Sequence, residues 1–371
     1  MIEHTPLNLA QLSPGAQKAL GAGPSRMMAA RGLLPLPPAE QLSVLYQLSI
    51  DADAAISQSA RATAAGLPEK LLAGTLGDSK LDPRVLDLFA QLVASKPAAL
   101  DALVSNPSTS DPTMATIAGR VGAREVDLIA NNEQRLLRHP EIISAMYMNK
   151  QARMSTVDRI VELAVRNDVR VPGLAAWDEI AEALRGAPIV ASPEVDEAFE
   201  AAAALTNRDD TILTTGDVDA DAADGEEPDE LKRAVKAPIE KLTIPAKIRL
   251  ATLGTAFERN ELIRDPIRMV SMSAIKSPAV TEFEAKGYAA NRNLPKEIIA
   301  YIAGKREWTK TYGVKVALCR NPKTPLPDAT RMMQAFREKD LVNLTKSKGV
   351  SSALVAIARR MLMNRRGGSG K

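Results

Sequence analysis

Ser273-Ala-Ile-Lys276 sets a hydroxyl and an amine one helical turn apart, a spacing at which lysine can activate a serine nucleophile. A two-residue match arises by chance in a chain of 371 residues, and no Ser-Asp-Asn or Lys-Thr-Gly companion follows it. The expectation is a helix carrying a solvated lysine. Asp217, Asp219 and Asp221 have the spacing of the first three ligands of a calcium loop. Such a loop needs Gly at its sixth position and a bidentate Glu at its twelfth, where this chain has Ala222 and Pro228, so an acidic linker is expected instead. Gly367-Gly-Ser-Gly-Lys371 is glycine-rich with a lysine, but a phosphate-cradling loop needs a strand before it and a helix after it. His139, in Arg138-His-Pro140, reads as a turn residue, and Cys319 as a small core side chain. No catalytic residue, metal ligand or cofactor site is assigned, and the chain is not expected to be an enzyme.

One cluster stands above this background. Lys305, Arg306, Trp308, Lys310, Tyr312 and Lys315 fall within eleven positions. On one continuous helix, Arg306 and Lys310 would share a face, and Trp308, Tyr312 and Lys315 another. Cations beside aromatic rings suit phosphate contacts with base stacking, an acidic protein partner, or packing between helices with basic edges.

These residues need elements to hold them, and the pattern along the chain is helical. After Ser155, which is expected to be an N-cap, Val157, Ile160, Val161, Ala164 and Val165 recur on one face, with Asp158, Arg159, Glu162 and Arg166 opposite. The last helix repeats this, with Val350, Leu354, Ile357, Ala358 and Met361 inward and Arg359 and Arg360 outward. Ser192-Pro193, Asp111-Pro112 and Thr324-Pro325 mark helix starts with Pro in the first turn, and Thr281 with Glu284 forms a capping box. No sustained alternation of apolar and polar residues predicts a strand, so the fold is expected to be all-α with on the order of 20 helices.

Charge is divided unevenly. Residues 231–371 hold 29 Lys and Arg against 11 Asp and Glu, a net of +18, while the other 230 residues carry a net of −15. Ten acids and no base lie between Asp209 and Glu230. Such asymmetry points to polyanion binding, to pairing within the chain, or to a solvated basic surface. One Cys and two His leave no disulfide framework and no four-ligand zinc site of the usual kind. No apolar run reaches the length of a membrane span, and the first residues show no basic-then-apolar secretory pattern, so a cytoplasmic location is expected.

The helices repeat. Ala102-Leu-Val-Ser-Asn106-Pro-Ser-Thr109 aligns without gaps on Ala317-Leu-Cys-Arg-Asn321-Pro-Lys-Thr324. Looser copies are Ala145-Met-Tyr-Met-Asn149, Ala290-Asn291 with Pro295, and Ala274-Ile-Lys-Ser-Pro278. At Asn106, Asn321 and Ser277 the helix is expected to end because the Pro that follows biases the preceding residue away from the α region. Together with Lys247-Ile-Arg-Leu-Ala251, these segments resemble HEAT-like repeats, and among them the leucine-rich-repeat-variant units of bacterial proteins. The resemblance covers about residues 245–363 well and 65–170 more weakly, and the interval between markers is uneven: 43 residues from Asn106 to Asn149, 30 from Asn291 to Asn321. It implies an α-solenoid whose common role is binding, and no catalytic residues.

The organisation expected is a loosely ordered lead-in at 1–38, a helical-repeat block at 39–207, an acidic disordered linker at 208–230, a basic repeat block at 231–364 and a flexible basic tail at 365–371. The function expected is a non-catalytic scaffold or regulatory adaptor that takes a protein partner on its repeat surface; the alternative is nucleic-acid binding by the basic block.

Overall fold

The computed structural model describes residues 4–21, 23–185, 193–205, 239–347 and 349–367. Among these there are 24 α-helices and no strand, so the fold is all-α. Contacts gather the chain into two units that divide between Leu174 and Ala175.

The first unit contains α1 (Pro14–Ala19), α2 (Pro24–Ala30), α3 (Pro38–Ser49), α4 (Ala54–Gly66), α5 (Glu69–Leu76) and α6 (Pro83–Leu92). It continues with α7 (Pro97–Ser105), α8 (Asp111–Ala118), α9 (Ala123–Ala130), α10 (Glu133–Arg138), α11 (Glu141–Met148) and α12 (Met154–Arg166). Helices pack on their next-but-one neighbours: α5 on α7, α6 on α8, α7 on α9. The pair α9 and α10 is inserted between α8 and α11, which pack directly on each other.

The lead-in expected to be loosely ordered is built into this unit. Its prolines begin helices, at Pro14, Pro24 and Pro38, where the missing N–H costs nothing. Gly23 (φ 103°) and Gly32 (φ 70°) supply the left-handed turns on either side of α2. Ahead of α1, residues 4–7 are strapped down. Tyr46 Oη donates to Thr5 O at 2.9 Å, Arg84 Nη1 donates to Thr5 Oγ1 and Pro6 O, and Leu7 N donates to Gln47 Oε1 at 2.7 Å. His4 Nε2 lies 3.1 Å from the buried Asp87 carboxylate, which also accepts from Thr113.

The second unit begins with α13 (Trp177–Arg185) and α14 (Pro193–Leu205), then α15 (Ile244–Leu253), α16 (Ala256–Leu262), α17 (Arg268–Lys276), α18 (Glu282–Ala290) and α19 (Lys296–Gly304). It ends with α20 (Arg306–Thr309), α21 (Tyr312–Arg320), α22 (Leu326–Met333), α23 (Glu338–Lys346) and α24 (Ser352–Gly367). Again α15 packs on α17, α17 on α19, α18 on α21 and α21 on α23. Expected with the first block, α13 and α14 instead belong here. Glu179 of α13 takes Lys276 Nζ at 2.7 and 2.8 Å, and the fully buried Arg249 of α15 lies 4.8 Å from the ring of Phe199 in α14. Opposite charges pair across what net charge had suggested was a boundary. The acidic stretch from Asp209 to Glu230, with the calcium-like triad, lies outside the described residues.

Local starts differ in detail. Ser110, not Asp111, caps α8, because its Oγ accepts from Thr113 N. Arg153 rather than Ser155 precedes α12, and Asp158 of that helix is buried rather than outward. Pro325, not Thr324, precedes α22. The Thr281–Glu284 capping box is formed as expected.

Candidate functional site

Three of the Asn markers share one job, which the fourth, Asn291, does not do. Asn106 ends α7 with extended backbone and turns its amide back to the end of α5, donating to Leu76 O at 2.7 Å and Asp78 O at 3.0 Å. Asn149, ending α11, donates to Ala118 O and Val121 O at 2.9 and 2.8 Å at the end of α8. Asn321, ending α21, donates to Ala289 O and Asn291 O at 2.9 and 3.1 Å at the end of α18. Each Oδ1 accepts from the amide two residues on, closing an Asx turn. Ser277 does the same with one bond, from Oγ to Thr252 O at 3.0 Å. The carbonyls at a helix end have no partner within the helix, and here the next unit supplies one. All four side chains are buried. Thr109 and Thr324 complete the match, donating from Oγ1 to Leu103 O and Leu318 O at 2.7 and 2.6 Å.

The Lys305–Lys315 cluster does not form one helix. Helix α20 ends at Thr309 and α21 starts at Tyr312, with Thr311 between them tied to Glu282 at 2.5 Å. The face shared by Trp308, Tyr312 and Lys315 therefore does not exist. Trp308 is buried, packed edge-to-face on Tyr301 at 6.2 Å, and Lys305 Nζ sits 5.1 Å from its ring centroid. Tyr312 Oη donates to Asp340 and accepts from Arg337 N at 3.0 Å, tying α21 to α23, and burial raises its phenol above the ordinary value. Arg306 and Lys310 are exposed, and Lys315 is half-buried.

Other candidate chemistry is engaged in structure. Ser273 is fully buried and donates to Val270 O at 2.7 Å, while Lys276, expected to be solvated, is bound to Glu179. Cys319 is buried with Sγ 3.5 Å from Ala329 O, and burial pushes its thiol up to about 12. His139 caps α10 and lies 3.4 Å from Glu141. Arg259 binds Glu284 through two nitrogens at 2.9 and 3.1 Å. Burial raises the Glu284 carboxyl, but the bonds from Arg259 and Thr281 outweigh it and leave the group below its ordinary value. Among the described residues no three His, Cys, Asp or Glu side chains form a metal-sized group, and no helix is long and apolar enough to cross a membrane.

What sequence reasoning missed is a set of cations on neighbouring helices: Lys286 of α18, Arg320 of α21, and Lys339 and Lys346 of α23, of which all four are exposed. The signal was available in the repeat register, since Asn291 and Asn321 align α18 on α21. Comparison of the chain with family models, with curated proteins and with solved structures gives no match.

Proposed function

We propose that the chain is a non-catalytic adaptor: an α-solenoid of HEAT-like units that binds a protein partner on its repeat surface. The observation that carries this reading is the recurring joint, in which a buried Asn or Ser at one helix end satisfies the end of an earlier helix. Units added through one joint extend a surface, and each depends mainly on its neighbours. The likeness of the marker segments to leucine-rich-repeat-variant units supports the same reading, and a cytoplasmic location goes with it. The test is cross-linking mass spectrometry in the cells that make the protein, followed by reconstitution with the purified partner. Cross-links from the repeat helices to one protein that binds again in vitro are expected; cross-links within the chain alone would refute the reading.

A second reading, nucleic-acid binding by residues 231–364, rests on their charge. From Lys286 onward, Lys286, Lys296, Arg306, Lys310, Lys315, Arg320, Lys339, Lys346, Arg359 and Arg360 have no ion pair or hydrogen bond through their side chains among the described residues. Duplex binding would fall by about 0.9 in log K for each phosphate neutralised per tenfold rise in salt. A gel shift at two salt concentrations checks it.

A further inference from the structure

In the second unit α18, α21 and α23 lie in sequence across one layer. Asn321 and Thr311 tie α21 to α18, and Tyr312 ties it to α23. Each helix turns four positions outward with spacing i, i+3, i+4, i+7. In α18 these are Phe283, Lys286, Gly287 and Ala290, all exposed, with Phe283 57% exposed. In α21, Gly313, Val316 and Ala317 are half-buried and Arg320 is exposed. In α23, Lys339 and Lys346 are exposed, with Val342 and Asn343 half-buried between them.

No acid stands at any of these positions, and the acids beside them are engaged. Glu282 accepts from Thr311, Glu284 from Arg259, and Asp340 from Tyr312; Glu338 is not free either. The four cations have no ion-pair or hydrogen-bond partner among the described residues. The stem of Lys286 lies along α21, since a Cβ on Gly313 would sit 3.5 Å from its Cδ and Cε, which holds this cation at the seam between the two helices. The fold does not require such a face to be cationic. The corresponding outward positions of the first unit include Lys70 on α5, Asp101 on α7 and Glu141 on α11, with Ala, Gly, Ser and Met between.

We propose that the outward face of α18, α21 and α23 is a docking surface for an acidic polypeptide segment in which carboxylates alternate with apolar side chains. This rests on the reading of the chain as a partner-binding repeat protein. Cations and apolar side chains interleave on the face, so a ligand must offer both. Carboxylates meet Lys286, Arg320, Lys339 and Lys346, while apolar groups cover Phe283, Val316 and Val342. Neighbouring packed helices lie ~8–10 Å apart, and a polyproline II chain rises ~3.1 Å per residue with three residues per turn, so residues three apart share a face and fall over successive helices. A nucleic-acid backbone carries the charge but has no apolar side chains to cover Val316 and Val342, and with Trp308 packed and Tyr312 bonded to Asp340 and Arg337, Phe283 is left as the ring on the face that a base could stack on.

The test is fluorescence anisotropy on the full chain with three probes. One is a peptide with Asp at every third position and Leu between, another a poly-glutamate of equal charge, the last a short DNA duplex. The Asp–Leu peptide is expected to bind most tightly. Lys286→Glu with Arg320→Glu should lower its affinity by on the order of tenfold or more, equivalent to about 1.4 kcal/mol. Phe283→Ser should weaken that peptide several-fold and leave poly-glutamate unchanged. All variants change exposed side chains, and unchanged circular dichroism confirms their fold. Equal binding of poly-glutamate and the Asp–Leu peptide, tightest binding of the duplex, or indifference to all three substitutions would overturn the proposal. The partner-binding reading fails separately, by the absence of cross-links to another protein. A native partner that binds the Lys286→Glu, Arg320→Glu variant unchanged would move the site elsewhere and leave that reading standing.

Discussion

Replacing Asn321 by Ala isolates the joint between α18 and α21. The side chain is 4% exposed and makes three bonds: Nδ2 to Ala289 O at 2.9 Å, Nδ2 to Asn291 O at 3.1 Å, and Oδ1 from Lys323 N at 3.0 Å. Its backbone (φ −86°, ψ 122°) is open to any residue, so Ala brings no strain of its own. Each bond lost costs about 1 kcal/mol net, and more where a buried carbonyl is stranded, which gives about 3 kcal/mol for the set. At 1.36 kcal/mol per decade that is about a hundredfold. Hydrogen-exchange mass spectrometry of the full chain reads it directly. Amide protection in the last turns of α18 and α21 should fall by about a hundredfold, while peptides from the first unit stay unchanged. The control is Asn291→Ala. The Asn291 side chain makes one Asx-turn bond, from Asn293 N at 2.9 Å, so a loss of only several-fold is expected from about 1 kcal/mol. Equal losses from the two substitutions, or less than about a threefold loss at Asn321, would show that the clip carries none of the coupling assigned to it.

Trp308→Ala should destabilise the second unit by about 3–5 kcal/mol, because the ring is buried against Tyr301; Arg306→Ala with Lys310→Ala should be nearly neutral, and denaturant melts of the three proteins compare them. Glu284 titrates below its ordinary value in the folded chain, so its contribution is complete above the unfolded value, about 4.5, and is lost as pH falls through the folded one. The Tm should therefore drop more steeply below that pH in the parent than in Glu284→Gln, and parallel curves would refute the assignment. Cys319, with its thiol raised to about 12 by burial, should resist a disulfide reagent at pH 8 until denaturant is added; rapid labelling of the native chain would contradict its packing.

The helical class and the helix ends at Asn106, Ser277 and Asn321 were legible because both are local. Apolar residues at helical spacing need a packed face, and Asn or Ser before Pro after such a run ends the helix, as at Asn106, Ser277 and Asn321. The loosely ordered lead-in expected at 1–38 rested on its Pro and Gly residues, and residues such as Pro14, Gly23 and Pro24 serve loose chain and tightly punctuated short helices alike. The choice was made by partners far along the chain, such as Tyr46 and Arg84 on Thr5. Net charge misplaced the boundary for a related reason. The acidic α13 looks foreign to a basic block, yet Glu179 is what allows Lys276 to be largely buried. At 305–315 the helical face was inferred from spacing alone, and spacing cannot see Thr311 held by Glu282.

The uneven marker interval has a physical resolution in the reach of the clip. Asn106 and Asn149 are 43 residues apart because they close the ends of different helices, α5 and α8. Asn149 nevertheless bonds carbonyls only 31 and 28 residues back, against 30 and 28 for Asn106 and 32 and 30 for Asn321. What recurs is a helix end satisfied by a donor about 30 residues further along the chain. Long basic side chains serve it too. Lys96 donates to Ala65 O and Leu67 O, and Lys323 to Asn293 O and Leu294 O, in both cases 29–31 residues back. In these contacts dependence runs one way, with the earlier helix end resting on donors from later in the chain. At α24, Arg365 takes the part of Asn, donating to Phe336 O at 2.6 Å and Gln334 O at 3.0 Å at the end of α22. Its reach, 29 and 31 residues, is that of the other clips, so the same contact is made with a guanidinium in place of the amide.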